Sequence, residues 1–138
     1  MTEPGPARKP WWRRWFGTRS ERAAARYLRR LGWRILAHNY TCPHGELDLV
    51  AVEDRCVVFV EVRSTEREDS ERTAASVDEA KQRRLTRLAL HFLQEKNLLG
   101  CAARIDVLIL SWPPGRREPA IEHHRSAFEA VGRFQMYS

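Results

Sequence analysis

Four charged side chains fall in two short β-type stretches: Glu46 and Asp48 in Gly45-Glu46-Leu47-Asp48-Leu49-Val50, Glu61 and Arg63 in Phe59-Val60-Glu61-Val62-Arg63. Glu53-Asp54-Arg55-Cys56 lies between the stretches and reads as a hairpin turn. A turn centred on Asp54-Arg55 sets Asp48 opposite Glu61, Glu46 opposite Arg63 and Val50 opposite Phe59. The two-residue period of a strand then gathers all four charged groups on one face. Asp48 and Glu61 would have β-carbons about 4.5–5.5 Å apart, a like-charge contact that destabilises a strand pair unless something compensates. A divalent cation is one compensator, because Mg²⁺ is typically held by one or two carboxylates, with water and substrate phosphate completing its shell. Neutralisation by Arg63 or another cation is a second. A one-residue bulge that sends the carboxylates to opposite faces is a third.

Two residues outside the hairpin can reach this face. Glu21 could bring a third acid from a helix, although as the third residue after Thr18 it also fits a capping box, in which it satisfies an orphan amide. Lys81 lies one turn ahead of an apolar helical stripe and could offer positive charge to a phosphate, while a lysine in that place also snorkels readily to solvent.

The elements that must hold these residues are legible from period and capping. A helix is expected from Thr18 to Gly32, with Ala24, Tyr27, Leu28 and Leu31 as its apolar stripe and arginines 22, 26, 29 and 30 elsewhere. Strands are expected at 33–39, 46–52 and 57–63. After a polar loop, Ser76-Val77-Asp78-Glu79 reads as a second capping box opening a long helix striped by Leu85, Leu88, Ala89, Phe92 and Leu93. A fourth strand is expected at 104–110, ended by Trp112-Pro113-Pro114-Gly115, then a short strand at 120–123 and a final helix near 126–131. The order α-β-β-β-α-β-β-α suits one α/β domain, a mixed sheet flanked by helices. The helix between strands three and four makes those two parallel.

With 138 residues, the chain has the length of one domain with a real core. Residues 18–138 are read as that domain and 1–17, rich in proline, tryptophan and arginine, as a basic aromatic flexible tail. The odd set Cys42, Cys56 and Cys101 gives no disulfide framework and suits a reducing compartment. No apolar run has the ~20 residues of a bilayer span, and no signal peptide is legible, so a cytoplasmic address is expected. Cys42-Pro43-His44 and His123-His124 lack the paired spacing of a zinc site. Net charge is +6, with +8 in residues 1–34 and −2 in the remainder. Such a segment attracts polyanions, either nucleic acid or an anionic lipid surface; a solubilising tail and a solvated helix face are the plainer reading.

Glu21-x-x-Ala24-Ala25-x-Tyr27-Leu28-x-x-x-Gly32, Ile35-Leu36-x-x-Asn39-Tyr40, the two hairpin motifs, Lys81 and Ile105-Asp106-Val107 occur in that order. Together they resemble the YraN-like family of small bacterial proteins, regarded as a branch of the restriction-endonuclease-like PD-(D/E)XK superfamily and similar to archaeal Holliday-junction resolvases. The resemblance covers residues 18 to 131 and excludes the tail. It implies a restriction-endonuclease-like fold and metal-dependent hydrolysis of DNA phosphodiesters, on branched DNA by analogy with the resolvases. Asp48 and Glu61 would be ligands of Mg²⁺ or Mn²⁺ and Glu21 the helix-borne acid. Arg63 stands where the family usually has lysine; it stays charged and cannot exchange a proton with water, although it can hold a phosphate. Lys81 could supply the missing lysine chemistry. Asp106 matches a motif position and reads as a structural acid. Junction resolvases usually act as dimers, which makes a homodimer an expectation of the resemblance.

Three readings follow: a Mg²⁺-dependent endonuclease, a nucleic-acid-binding module with the nuclease fold but little or no catalysis, and a membrane-surface or protein-interaction role carried by the Trp/Arg tail. Arg63 is the residue that favours the second.

Overall fold

The computed structural model describes residues 19–65 and 78–127. These form α1 (Arg19–Arg30), β1 (Arg34–Cys42), β2 (Gly45–Glu53), β3 (Cys56–Thr65), α2 (Glu79–Glu95), β4 (Ala102–Ser111) and β5 (Ala120–His124). The tail at 1–17, Thr18 and Ser76 of the two capping boxes, and the final helix beyond Ala127 lie outside the described residues. Ser126 does not begin a helix. It sits in a turn at φ 48°, and Ala127 N–H bonds the Ile105 carbonyl at 3.0 Å, which folds the segment back onto β4.

The first helix forms because Ala23, Ala24 and Leu28 share one face, each 3% exposed or less, while Arg22, Arg26, Arg29 and Arg30 lie exposed. Leu31, expected on the apolar stripe, is 47% exposed, because the helix has already ended at Arg30. Gly32 ends it at φ 91°, a left-handed conformation that costs glycine little. Its N–H returns to the Arg29 carbonyl and that of Trp33 to Leu28, a Schellman cap. The long helix is capped by Asp78 rather than Ser76. Asp78 Oδ1 accepts the Lys81 N–H at 2.8 Å, and a carboxylate there also complements the positive end of the helix.

The strands make one sheet in the order β1-β2-β3-β4-β5, with β3 and β4 parallel and the other neighbours antiparallel. The parallel pair follows from the α2 crossover, as expected. The β2–β3 hairpin has the expected register, Val50 opposite Phe59 and Glu53 opposite Cys56. First-strand pairing runs three residues beyond the expected end at Asn39, since Asn39 takes a left-handed φ of 52° and the chain continues to Cys42.

The helices cover opposite faces of the sheet. On one, α1 packs on Leu49, Ala51, Val58, Val60 and Leu108; on the other, the α2 stripe Leu85, Leu88, Ala89, Phe92 and Leu93 packs on Val50, Phe59 and Ile105. Truncating a residue such as Leu28, which has no exposed surface, to alanine would cost about 2–5 kcal/mol.

Candidate functional site

The site begins where the β2–β3 ladder stops. Strand pairing runs from Glu53/Cys56 to Leu49/Val60 and ends there. One residue on, the Asp48 carboxylate continues the ladder, its Oδ2 accepting the Val62 N–H at 2.8 Å. Asp48 and Glu61, which the hairpin arithmetic sets opposite each other, lie one step past the last backbone pair. Beyond that point lies a cleft of about 420 Å³ lined by Glu21, Glu46, Asp48, Glu61, Arg63 and Lys81.

Glu61 is 8% exposed. Lys81 Nζ approaches its Oε2 to 2.7 Å from α2, while Arg63 Nη1, two residues along the same strand, stands at 4.0 Å. The shorter contact is a charge-assisted hydrogen bond and the longer one a loose ion pair. The Lys81 ammonium thus neutralises Glu61, and the Val62 amide satisfies an oxygen of Asp48. Glu21 joins from the first turn of α1, also 8% exposed.

Each contributor is fixed by a local device. The Asp78 cap puts Lys81 in the first turn of α2, one turn before buried Leu85. Gly45, at φ 133°, closes the turn between β1 and β2 and leads into Glu46. Trp112 Nε1–H donates to Ser20 Oγ at 2.8 Å, and the Arg19 guanidinium lies 3.6 Å from the centre of the Trp112 ring. These contacts tie the start of α1, with Glu21, to the end of β4. Sequence reasoning takes Trp112 only as a strand stop, and it misses Ser20, Ser64 and Arg84 in the cleft wall. Arg84 had a usable signal, since it follows Lys81 by three residues and therefore shares its helix face.

Asp106 is elsewhere, on the α1 side of the sheet near Tyr27 and Trp33. It has no exposed surface and receives Arg104 Nε at 3.0 Å, His123 Nε2 at 2.8 Å and the Ser126 N–H at 2.9 Å. Burial pushes its pKa up, but the bonds from His123, Arg104 and the Ser126 amide, with the Arg104 charge, outweigh burial and hold the carboxyl below the usual aspartate value. Arg104 also donates to Glu53 at 2.7 Å, and Arg125 bonds the same oxygen. His123 Nδ1 lies 3.1 Å from the Tyr27 hydroxyl. Asp106 thus joins β4, β5, the β2–β3 turn and α1, and takes no part in the cleft.

The cleft's donors are hard carboxylate oxygens beside cations, a set that suits Mg²⁺ or Mn²⁺ better than a soft, thiolate-seeking metal. Among the described residues, no three His, Cys, Asp or Glu side chains form a group able to hold a metal ion by themselves. An ion on Asp48 and Glu61 would depend on water and substrate phosphate for its remaining ligands, the usual habit of Mg²⁺.

A mixed five-stranded sheet between two helices, with its third and fourth strands parallel across a helical crossover, defines an α/β protein of restriction-endonuclease-like architecture. The chain belongs to the YraN family: residues 20–110 match the group described as "Uncharacterised protein family UPF0102". A UPF0102 protein of Rhodopirellula baltica is 44% identical over 84% of this chain and 71% of its own length. One from Myxococcus xanthus is 42% identical over 86% of this chain and 92% of its own, and one from Pelotomaculum thermopropionicum 40% identical over 84% and 97%. Among the described residues, no helix is long and apolar enough to cross a membrane.

Proposed function

We propose that this protein is a metal-dependent endonuclease that hydrolyses DNA phosphodiester bonds, branched DNA among them. The observation that carries the reading is the meeting in one cleft of Asp48, Glu61 and Glu21 with Lys81, whose ammonium lies 2.7 Å from Glu61. Acids and cations so mixed can receive both a cation and a phosphate.

Asp48 and Glu61 would hold Mg²⁺ or Mn²⁺. The chemistry such an ion supplies is Lewis acidity toward a phosphate oxygen and a lowered pKa for a bound water. Arg63 and Arg84 contribute guanidinium donors for the non-bridging phosphate oxygens. Lys81 is the cleft group that can both donate to a phosphate oxygen and exchange a proton with water at Nζ. As the water oxygen bonds to phosphorus and one ester oxygen leaves, charge accumulates on the equatorial oxygens. Fixed cations beside them lower that barrier more than mobile solvent does.

The deciding experiment is titration of Mg²⁺ and Mn²⁺ into the full chain and into Asp48→Ala, with cleavage of branched and single-stranded DNA scored in the same buffers. Metal binding lost in the variant, together with metal-dependent cleavage by the wild type, is expected. Absence of metal binding even with DNA present would defeat the reading. Arg63 favours a second one, a nucleic-acid-binding module with little or no catalysis, which predicts DNA binding without cleavage in any metal.

A further inference from the structure

A second groove, of about 290 Å³, runs between α1 and β1, and Glu21 lines both it and the cleft. One wall is a row of arginines, Arg22, Arg26 and Arg29, all exposed. The spacing of four and then three residues keeps them on one helix face. At 1.5 Å per residue the row is about 10 Å long. His38 and Asn39 of β1 form the facing wall, and Leu49 lies beneath. Asn39 reaches it through its left-handed φ of 52°, beyond an irregularity in the β1–β2 register between Ile35 and Ala37.

We propose that this groove binds the phosphodiester backbone of a DNA strand flanking the phosphate held in the cleft. The proposal rests on the hydrolytic reading for the cleft and adds the path the substrate takes away from it. Charge complementarity is the first support. A duplex strand presents a phosphate about every 3.4 Å of axis, so a row about 10 Å long runs beside about three phosphate steps. Continuity is the second, since Glu21 belongs to both walls and a strand leaving the cleft over α1 meets the arginines next. A lipid surface fits less well. An interfacial helix must offer an apolar face, and that of α1, made by Ala23, Ala24 and Leu28, is already buried on the sheet.

The test is DNA binding by the full chain in EDTA, read by fluorescence anisotropy with fluorescein-labelled branched duplex over a range of salt concentrations. Arg26→Ala/Arg29→Ala is compared with the wild type and with Arg116→Ala/Arg117→Ala, which removes two exposed arginines outside the groove. Alanine favours helix, so the groove variant keeps α1. Each phosphate deprived of its arginine flattens the slope of log K against log salt by about 0.9. A slope flatter by about 1.8, with affinity at least tenfold weaker at 0.1 M salt, is expected for the groove variant only. An unchanged slope would overturn the proposal. Equal losses in both double variants would do so too, since they would reduce it to bulk charge. So would loss of binding to phosphatidylserine vesicles with DNA binding intact. Because no metal is present, the outcome is separable from that of the cleft. Groove-dependent binding with no cleavage in any metal leaves the groove standing and removes the hydrolytic reading, whereas cleavage with an unchanged salt slope does the reverse.

Discussion

Lys81 Nζ lies 2.7 Å from Glu61 Oε2, so the ammonium nearest this strand-borne acid comes from the first turn of α2 and not from the strand itself. Arg63, the cation two residues along β3, stays 4.0 Å away. The cleft thus draws its lysine from α2, while the strand position two residues after Glu61 holds arginine.

Lys81→Ala is expected to reduce metal-dependent cleavage at least a hundredfold and stability by about 1–3 kcal/mol, since it leaves a largely buried carboxylate without its ammonium. Arg63→Lys alone should change the rate little. In the Lys81→Ala background it should restore at least tenfold of the lost rate, because a lysine is again within reach of Glu61. Single-turnover cleavage of the four proteins checks this. A double variant no faster than Lys81→Ala would show that the lysine must come from α2.

Asp48 separates charge from hydrogen bonding. Asp48→Asn keeps an oxygen to accept the Val62 N–H, now 2.8 Å from Oδ2, while Asp48→Ala removes it. Both are expected to lose metal affinity. Asn should leave the urea midpoint nearly unchanged, whereas Ala should lower stability by about 1–2 kcal/mol through an unsatisfied amide at the end of the ladder. Addition of EDTA should stop cleavage by the wild type and lower its midpoint only by the binding energy of the lost ion, because Lys81 and the Val62 amide still hold Glu61 and Asp48 in its absence.

The hairpin register was legible because a two-residue turn at Asp54-Arg55 determines every pairing behind it, and Lys81 was legible because helical period places it one turn before Leu85. Contacts between residues distant in sequence were not. Nothing local to Trp112 indicates that its indole reaches Ser20, 92 positions away. His123 reads as half of a meagre His-His pair until the sheet brings it to Asp106. Asn39 looks like a strand end, since local preference cannot foresee that a left-handed residue is accommodated within the β1–β2 pairing. Ser76 and Asp78 are both good N-cap residue types, so residue preference alone does not distinguish them.

Trp112 provides a test of how far Glu21 depends on remote packing. Trp112→Phe keeps an aromatic ring beneath Arg19 but loses the indole donor to Ser20. A fall in stability of about 1 kcal/mol is expected for the lost hydrogen bond. Hydrogen exchange should speed up in the first turn of α1 while the β3–β4 amides stay protected, which amide exchange followed by mass spectrometry resolves. Uniform acceleration would mean that Trp112 supports the whole sheet and not the start of α1.

Asp106 gives the acid limb of the stability curve. Its carboxyl is held below the ordinary value of 3.8, so the folded state binds its proton less readily than the unfolded chain does. That contribution is fully present above the unfolded value and is lost as pH falls through the folded one. The Glu53 carboxyl is held low as well: burial raises it, but hydrogen bonds and charge from Arg104 and Arg125 prevail. Wild-type stability should therefore be level near neutrality and fall steeply below about pH 4. Asp106→Asn leaves Arg104 with Glu53 alone and should cost about 3 kcal/mol at pH 7, as expected for breaking a buried pair. Its profile should also be flatter in acid, with the two proteins converging as pH falls. Urea unfolding from pH 7 to pH 3 measures both effects. A constant gap between the curves would show that the loss comes from packing and not from the charge of Asp106.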